Sequence, residues 1–118
     1  MIQPGVLDLK MWQGATWNYE LVWEDGNPSA PVDLTGYTAK MQVRIIKPAS
    51  KVILELTSLL GGGITLGGAL GTIDLDLSAA DTADIPAGRY VYDLEMTDGA
   101  TVTRLIEGTF VVSGEVTR

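Results

Sequence analysis

The chain has 118 residues, a formal charge of −7 and a hydrophobic fraction of 46%, which together suit one globular domain spanning residues 1–118. It contains no cysteine and no histidine. Disulfides, thiolate nucleophiles and zinc–sulfur sites are therefore excluded, and the commonest general base is missing. We expect no catalytic residue, no cofactor and no metal. The negative charge argues against nucleic-acid binding, and no apolar run approaches the ~20 residues that cross a membrane.

The first elements are predicted to be an arm and two strands. Residues 1–5 form a candidate N-terminal arm, which lacks the basic and apolar regions of a signal peptide, so we expect synthesis without secretory export. Apolar residues alternate with polar ones over 7–11 and over 17–23, and the second run has an aromatic-rich inner face. The two strands either pair directly or cross between two sheets.

The middle of the chain is predicted to hold a loop and three further strands. Residues 24–31 contain Asp-Gly, Asn-Pro and a second proline, which are typical of a loop. Alternation over 37–45 predicts a third strand with Ile45 as its last inward residue. Residues 52–57 predict a fourth strand, and 64–66 predict a short one between two glycine-rich turns.

One more strand precedes a short helical turn. Apolar residues alternate with aspartates over 72–77. Ser78 and Asp81 then have the spacing of a capping box, with Asp in place of Glu. This spacing predicts about one turn of helix, which Pro86 and Gly88 end.

The last part of the chain predicts a long antiparallel hairpin at the centre of a sheet. Every second residue over 90–96 is large and apolar, and the intervening residues are mostly polar. Asp98-Gly99 predicts a tight type I′ turn. On the return strand, Leu105 and Phe110 are out of phase; a bulge at Gly108 would turn both toward the core, but the sequence does not settle this register.

About seven or eight short strands follow one another, with turn signals every 8–12 residues. This pattern predicts an all-β protein, either a sandwich or a small barrel, with one short helical turn, and not alternating β and α units. Taken alone, it names no reaction.

Several phrases of the sequence occur in an order that resembles one protein family. They are QGATW (13–17), APVDLTGYTAKMQVR (30–44), GGITLGG (62–68), IDLDLSAADTADIPAGRYVYDLEMTDG (73–99) and TRLIEGTFVVSGEVTR (103–118). Together they are similar to small phage proteins typified by the N-terminal domain of the baseplate upper protein of lactococcal-type siphophages. The resemblance covers nearly the whole chain.

The resemblance implies an immunoglobulin-like antiparallel β-sandwich and a structural role in a bacteriophage particle, in the tail or baseplate. It implies that the protein is made in the bacterial host cytoplasm and ends in the virion, with other virion structural proteins as partners. A homo-oligomer, either a ring or a trimer, is expected by the same likeness. Baseplate upper proteins carry a long C-terminal extension toward the receptor-binding protein. Because this chain ends after the sandwich, we expect an adaptor, a tail-attached module or a capsid-decorating module.

The acidic pairs and the glycine-rich stretch could each indicate a binding site, but each has a simpler interpretation. The pairs Asp74 with Asp76 and Asp93 with Glu95 offer oxygen ligands to a cation such as calcium, but they lack the spacing of a calcium loop, so we interpret them as solvated strand faces. The glycine-rich stretch lacks the lysine of a phosphate-binding loop, so we interpret it as turns between short strands.

The aromatic residues suggest an alternative function, in which the sandwich binds carbohydrate and aids adsorption to the host. Trp17, Tyr19 and Trp23 share one strand face with Leu21, which favours a core position. Trp12 lies out of phase at a turn and is the best candidate for an exposed contact.

We expect the protein to act through its surfaces. Residues 1–9 could add a strand to the edge of a neighbour's sheet, with Pro4-Gly5 as a hinge. The loops over 24–31 and 59–70 are the other predicted docking surfaces. The candidate partner contacts are Ile2, Gln3, Pro4, Trp12, Asp25, Asn27, Leu59, Leu60 and Leu66.

Overall fold

The computed structural model describes residues 5–116, and within that range the chain is almost entirely β. A five-residue helix, α1 (Ala79–Ala83), and a 3₁₀ turn (Gly68–Leu70) interrupt the strands. The strands are β1 (Gly5–Val6), β2 (Leu9–Trp12), β3 (Trp17–Val22), β4 (Glu24–Asp25), β5 (Ala30–Pro31), β6 (Thr38–Arg44), β7 (Leu54–Thr57), β8 (Ile64–Leu66), β9 (Thr72–Leu77), β10 (Gly88–Thr97) and β11 (Val102–Ser113). Three of these eleven have two residues each, and the other eight match the predicted strand count.

The strands form two main sheets and a small ribbon. The large sheet has the order β7-β6-β10-β11, and both β1 and β2 pair with the far edge of β11. The small sheet has the order β3-β9-β8, and β4 with β5 forms the ribbon. The first two predicted strands therefore cross between sheets. The pairing of β1 and β2 with β11 is parallel, so the sandwich is not antiparallel throughout.

This strand order is that of an immunoglobulin-like sandwich. Strands β3, β9 and β8 take the places of B, E and D, and β11, β10 and β6 take those of G, F and C. Strand β7 extends the second sheet as C′ does in variable-type domains. The Tyr90 hydroxyl, near the start of β10, donates a hydrogen bond of 2.6 Å to the Pro86 carbonyl, which reproduces the tyrosine corner of such domains.

The core lies between the inner faces of the two sheets. The alternating side chains of β3 and β9 meet those of β6, β10 and β11, as the sequence periodicity predicts. Trp17 of the small sheet packs edge-on against Phe110 of the large sheet, with ring centroids 5.5 Å apart, and Tyr92 packs against the same ring at 6.2 Å. These three rings join the two sheets at one level of the core.

The helical turn forms as predicted. The Ser78 hydroxyl accepts a hydrogen bond of 3.1 Å from the Asp81 amide, so Ser78 caps α1. The Thr82 hydroxyl, which is fully buried, donates to the Ala15 carbonyl at 2.9 Å. This bond fixes the helix against the turn between the sheets.

The tight turn of the long hairpin differs from the prediction. A type I′ turn centred on Asp98-Gly99 needs a positive φ at both residues, but no described residue other than glycine has one. Strand β10 instead ends at Thr97, and residues 98–101 form the loop. The Asp98 carboxylate accepts hydrogen bonds from the Thr101 and Ala100 amides, and these bonds lower the pKa of Asp98.

The bulge lies at Leu105 and not at Gly108. Leu94 pairs with Ile106 and Glu95 pairs with Arg104, so Leu105 is the extra residue. The predicted consequence is confirmed, because Leu105 and Phe110 are both fully buried. The prediction placed the bulge at the glycine because glycine commonly marks bulges, whereas this glycine has another role.

Gly108 makes room for the crossing segment between β1 and β2. A Cβ at Gly108 would overlap the Leu7 carbonyl, and the Tyr92 hydroxyl donates a hydrogen bond to that same carbonyl. The Asp8 carboxylate accepts a hydrogen bond of 3.1 Å from the Thr109 amide. The edge of β11 is thus bonded through a side chain where the backbone pairing is interrupted.

Two further predictions need correction. Strand β6 ends at Arg44, so Ile45 is 54% exposed and does not face the core. The candidate arm is shorter than predicted, because Gly5 and Val6 already pair with β11 of their own chain, and so does Leu9. Residues 1–4 lie outside the described range.

Candidate docking surfaces

The structure divides the predicted contact residues among separate places. Ile2, Gln3 and Pro4 lie outside the described residues. Trp12 ends β2, and Asp25 and Asn27 are exposed on the ribbon between β4 and β5. The remaining three are the leucines Leu59, Leu60 and Leu66, which come together in one groove.

The groove formed by these leucines is open and has a volume of about 720 Å³. We call it the Leu59 groove, and its lining includes Tyr37, Leu59, Leu60, Leu66 and Asp76. Leu59 is 71% exposed and Leu60 is fully exposed, although both are large apolar side chains. Contiguous exposed apolar surface of this kind commonly marks an interaction site.

Local backbone bonds explain why these leucines point outward. The Ser58 hydroxyl accepts a hydrogen bond of 2.9 Å from the Ala39 amide, and the Ser58 amide donates to the Ala39 carbonyl at 3.0 Å. The Thr57 amide then donates to the Gly62 carbonyl at 2.9 Å, which closes a tight loop. Gly61 has a φ of 78°, a conformation that favours glycine. The loop is therefore pinned at its base, and its two leucines lie at the tip.

A second, smaller groove adjoins the first and includes Leu59 on its wall. It has a volume of about 370 Å³ and is also lined by Lys40, Glu95 and Val102. Val102 is 64% exposed and faces outward because it pairs with Thr97. Nothing in the sequence indicated that Val102 is exposed. A valine at the start of a predicted strand can face either side, and only the register of the hairpin decides which.

Trp12 is the one strongly exposed aromatic residue. The chain has eight aromatic residues, all within the described range. Trp12, at 55% exposure, is the only one of them that is more than half exposed. The Lys10 ammonium lies 5.2 Å from the centre of the Trp12 ring, a cation–π contact. A coplanar aromatic platform for sugars needs more than one such ring, and the described residues supply no second one.

The two acidic pairs lie on outer strand faces. Asp76 accepts a hydrogen bond from the Asn18 side chain, and Asp93 lies 3.5 Å from the Arg104 guanidinium. Asp74 lies directly opposite Glu20, and the hydrogen bond and charge of Asp74 raise the pKa of Glu20. Within residues 5–116, no group of three or more acidic, cysteine or histidine side chains could hold a metal.

Charge is segregated between the sheets, which the sequence analysis missed. Residues 11–39 and 52–88 contain four and five carboxylates respectively, but no lysine or arginine. These segments supply the whole of the small sheet and α1, and they also include β7, which carries Glu55 on the large sheet. Every basic residue that the structure describes lies on the large sheet or in the loop between β6 and β7. Counting charges by segment would have shown this.

Three of the cations lie close together on the outer face of the large sheet. Val111 pairs with Lys10 on one side and Arg89 on the other, and Val91 of the next row pairs with Arg44. We call these five residues the basic patch. The Arg44 guanidinium donates to the Ala49 carbonyl at 2.6 Å and to the Gln42 side chain at 2.9 Å, which fixes its position.

Comparisons with known proteins add no relative. No protein-family model matches the chain, and a search of curated proteins finds no significant match. The resemblance to the phage baseplate family therefore stays a prediction from the sequence. Among the helices that the structure describes, none is long and apolar enough to span a membrane.

Proposed function

We propose that the protein is a non-enzymatic structural module of a bacteriophage particle, a tail, baseplate or adaptor component that docks on neighbouring virion proteins. The observation that carries the proposal is the Leu59 groove, where a pinned loop presents Leu59 and Leu60 to solvent beside Tyr37. Removal of apolar surface from water is the dominant favourable contribution to most protein–protein association. The ordered sequence phrases supply the phage context.

A rigid sandwich that displays an apolar loop suits docking better than catalysis. The acidic pairs on the strand faces are solvated or paired with neighbours, and the chain has no histidine or cysteine. The same surface would serve a capsid-decorating module, which is the alternative location. A carbohydrate-binding role has weaker support, because Trp12 stands without a second exposed ring in the described part of the chain.

Purified particles provide the test. Mass spectrometry of phage particles from a host carrying the gene should detect the protein, and a cryo-EM map should show its density on the tail, baseplate or capsid. Leu59→Lys should reduce its incorporation, whereas Leu70→Lys, at a leucine of similar exposure (68% against 71%) outside the groove, should leave incorporation unchanged. Absence from the particles would overturn the proposal.

A further inference from the structure

We propose that copies of this protein stack head to tail, with the outer face of the small sheet of one copy docked on the basic patch of the next. The inference deepens the proposed function by naming one partner, a second copy of the chain. It rests on that function only for its biological setting.

The outer face of the small sheet is acidic and has no basic residue. We call it the acidic face; its outward residues include Asn18, Glu20, Thr65, Asp74 and Asp76. Glu20 lies directly opposite Asp74, and like charges in that position destabilise a sheet. No cation on β3, β8 or β9 offsets this repulsion. A cationic surface placed over the pair would relieve it.

The basic patch has the complementary charge. Lys10 and Arg89 lie on either side of Val111, so they are two strand spacings, or about 10 Å, apart. Asp8 lies near Arg89: its hydrogen bond from Thr109 and, to a lesser degree, the charge of Arg89 lower its pKa. Asp93 lies beside Arg44 and Val91 at the other end of the patch. Glu20 and Asp74 lie on neighbouring strands, about 5 Å apart, so one cation of the patch can lie over both carboxylates.

The arrangement of the two faces favours a second copy as the occupant. Each chain carries both halves of the contact, on opposite outer sides of the same sandwich. A two-fold dimer would place each face against itself and would bring like charges together. A head-to-tail contact pairs opposite charges and leaves one face of each kind for the next copy. Such a contact produces a ring or an open stack.

Charge reversal with mixing tests the inference. The acidic-face variant carries Glu20→Lys and Asp74→Lys, and the basic-patch variant carries Lys10→Glu and Arg89→Glu. We expect the wild type to self-associate in sedimentation velocity at about 0.01 M salt and to dissociate at about 1 M, where the Debye length falls from about 30 Å to about 3 Å. Each variant alone should show a dissociation constant more than about tenfold higher, since like charges then face one another.

An equimolar mixture of the two variants should associate again, because each supplies the face that the other has reversed. Lys51→Glu, an exposed reversal in the loop between β6 and β7 and outside the patch, should associate like the wild type. Circular dichroism and Tm confirm that each variant is folded. A wild type that stays monomeric at low salt, or a mixture that does not recover association, would overturn the inference.

These results are separable from the test of the proposed function. Particles that contain the protein, together with a wild type that never self-associates, would remove the stacking and leave the virion role. A protein that stacks as described but is absent from particles would remove the virion role and leave the stacking.

Discussion

In the small sheet and in the large sheet alike, alternate residues of the long strands are buried against the other sheet. Leu75 of β9 and Leu94 of β10 are both fully buried, and each is flanked by carboxylates that face outward. The outer faces differ. The small sheet presents Glu20, Asp74 and Asp76 without a basic residue, whereas the large sheet presents cations and carboxylates together.

This difference shows that the inner and the outer faces of the sheets are under different constraints in the sequence. The inner faces need only apolar side chains at every second position, so they obey the same rule in both sheets. The outer faces are not constrained by the core, so their charges are available for association. Changes on the two faces should therefore have different consequences.

The inner faces should be equally sensitive in both sheets. Trp17→Ala in the small sheet and Tyr92→Ala in the large sheet should each lower the free energy of unfolding by about 3–5 kcal/mol, because each empties a packed position beside Phe110. Asp93→Ala, on the outer face next to Tyr92, should cost less than about 1 kcal/mol. Urea unfolding measures all three, and a similar loss for Tyr92→Ala and Asp93→Ala would contradict the assigned register.

In the large sheet, β1 and β2 add a further row of pairing along β11, and a substitution at Gly108 tests how closely the segment between them packs. Gly108→Ala should cost about 1–3 kcal/mol, because the new methyl group would displace the Leu7 carbonyl. Hydrogen exchange at the Leu7 amide, which donates to the Glu107 carbonyl at 2.9 Å, should become faster. Gly114→Ala is the control, since its new methyl would meet only the Ala87 side chain at 3.6 Å. Equal costs for the two variants would show that the edge does not constrain Gly108.

The connection between the two sheets should depend on one hydroxyl. Tyr90→Phe removes the hydrogen bond to the Pro86 carbonyl and should lower stability by about 1 kcal/mol. Tyr19→Phe, on the small sheet, removes a hydroxyl that makes no hydrogen bond among the described residues, and it should be close to neutral. Thermal unfolding compares them, and an unchanged Tm for Tyr90→Phe would argue against the tyrosine corner as a stabilising contact.

Periodicity predicted the strands because burial of one strand face requires an apolar residue at every second position of the sequence. The alternation that ends at Met96 and the capping of α1 by Ser78 were both predictable from local patterns, and both are confirmed. The bulge lies at Leu105 and not at Gly108, and the sequence could not show this: Leu105 and its neighbour Ile106 are both apolar and both buried, so only the strand pairing identifies the extra residue. Gly108 misled for a related reason: the Leu7 carbonyl that requires it is 101 residues away in sequence.

The candidate surfaces were predicted less completely than the fold. Leu59, Leu60 and Leu66 were selected because they belong to a glycine-rich loop, and the structure places them in one groove. Val102 completes an adjoining groove only through the hairpin register, which sequence alone does not supply. The basic patch likewise depends on register, because Lys10 and Arg89 become neighbours only through Val111.

The smallest effect should come from the outer face of the small sheet, where Glu20 opposes Asp74. Because the pKa of Glu20 is raised above its usual value of 4.5, its ionised form is less favourable in the folded protein than in the unfolded chain. The contribution of Glu20 to stability is therefore fully present below pH 4.5 and is lost as the pH rises through the raised value. Glu20→Gln cannot ionise, so it should raise the Tm slightly at pH 7 and give no gain at pH 4, measured at low protein concentration to keep the protein monomeric. Glu24→Gln, at a glutamate that pairs with Pro31 and not with a carboxylate, is the matched control. If the gain for Glu20→Gln is the same at both pH values, repulsion from Asp74 is not its cause. The charge difference between the two outer faces would then not lower the stability of the isolated chain.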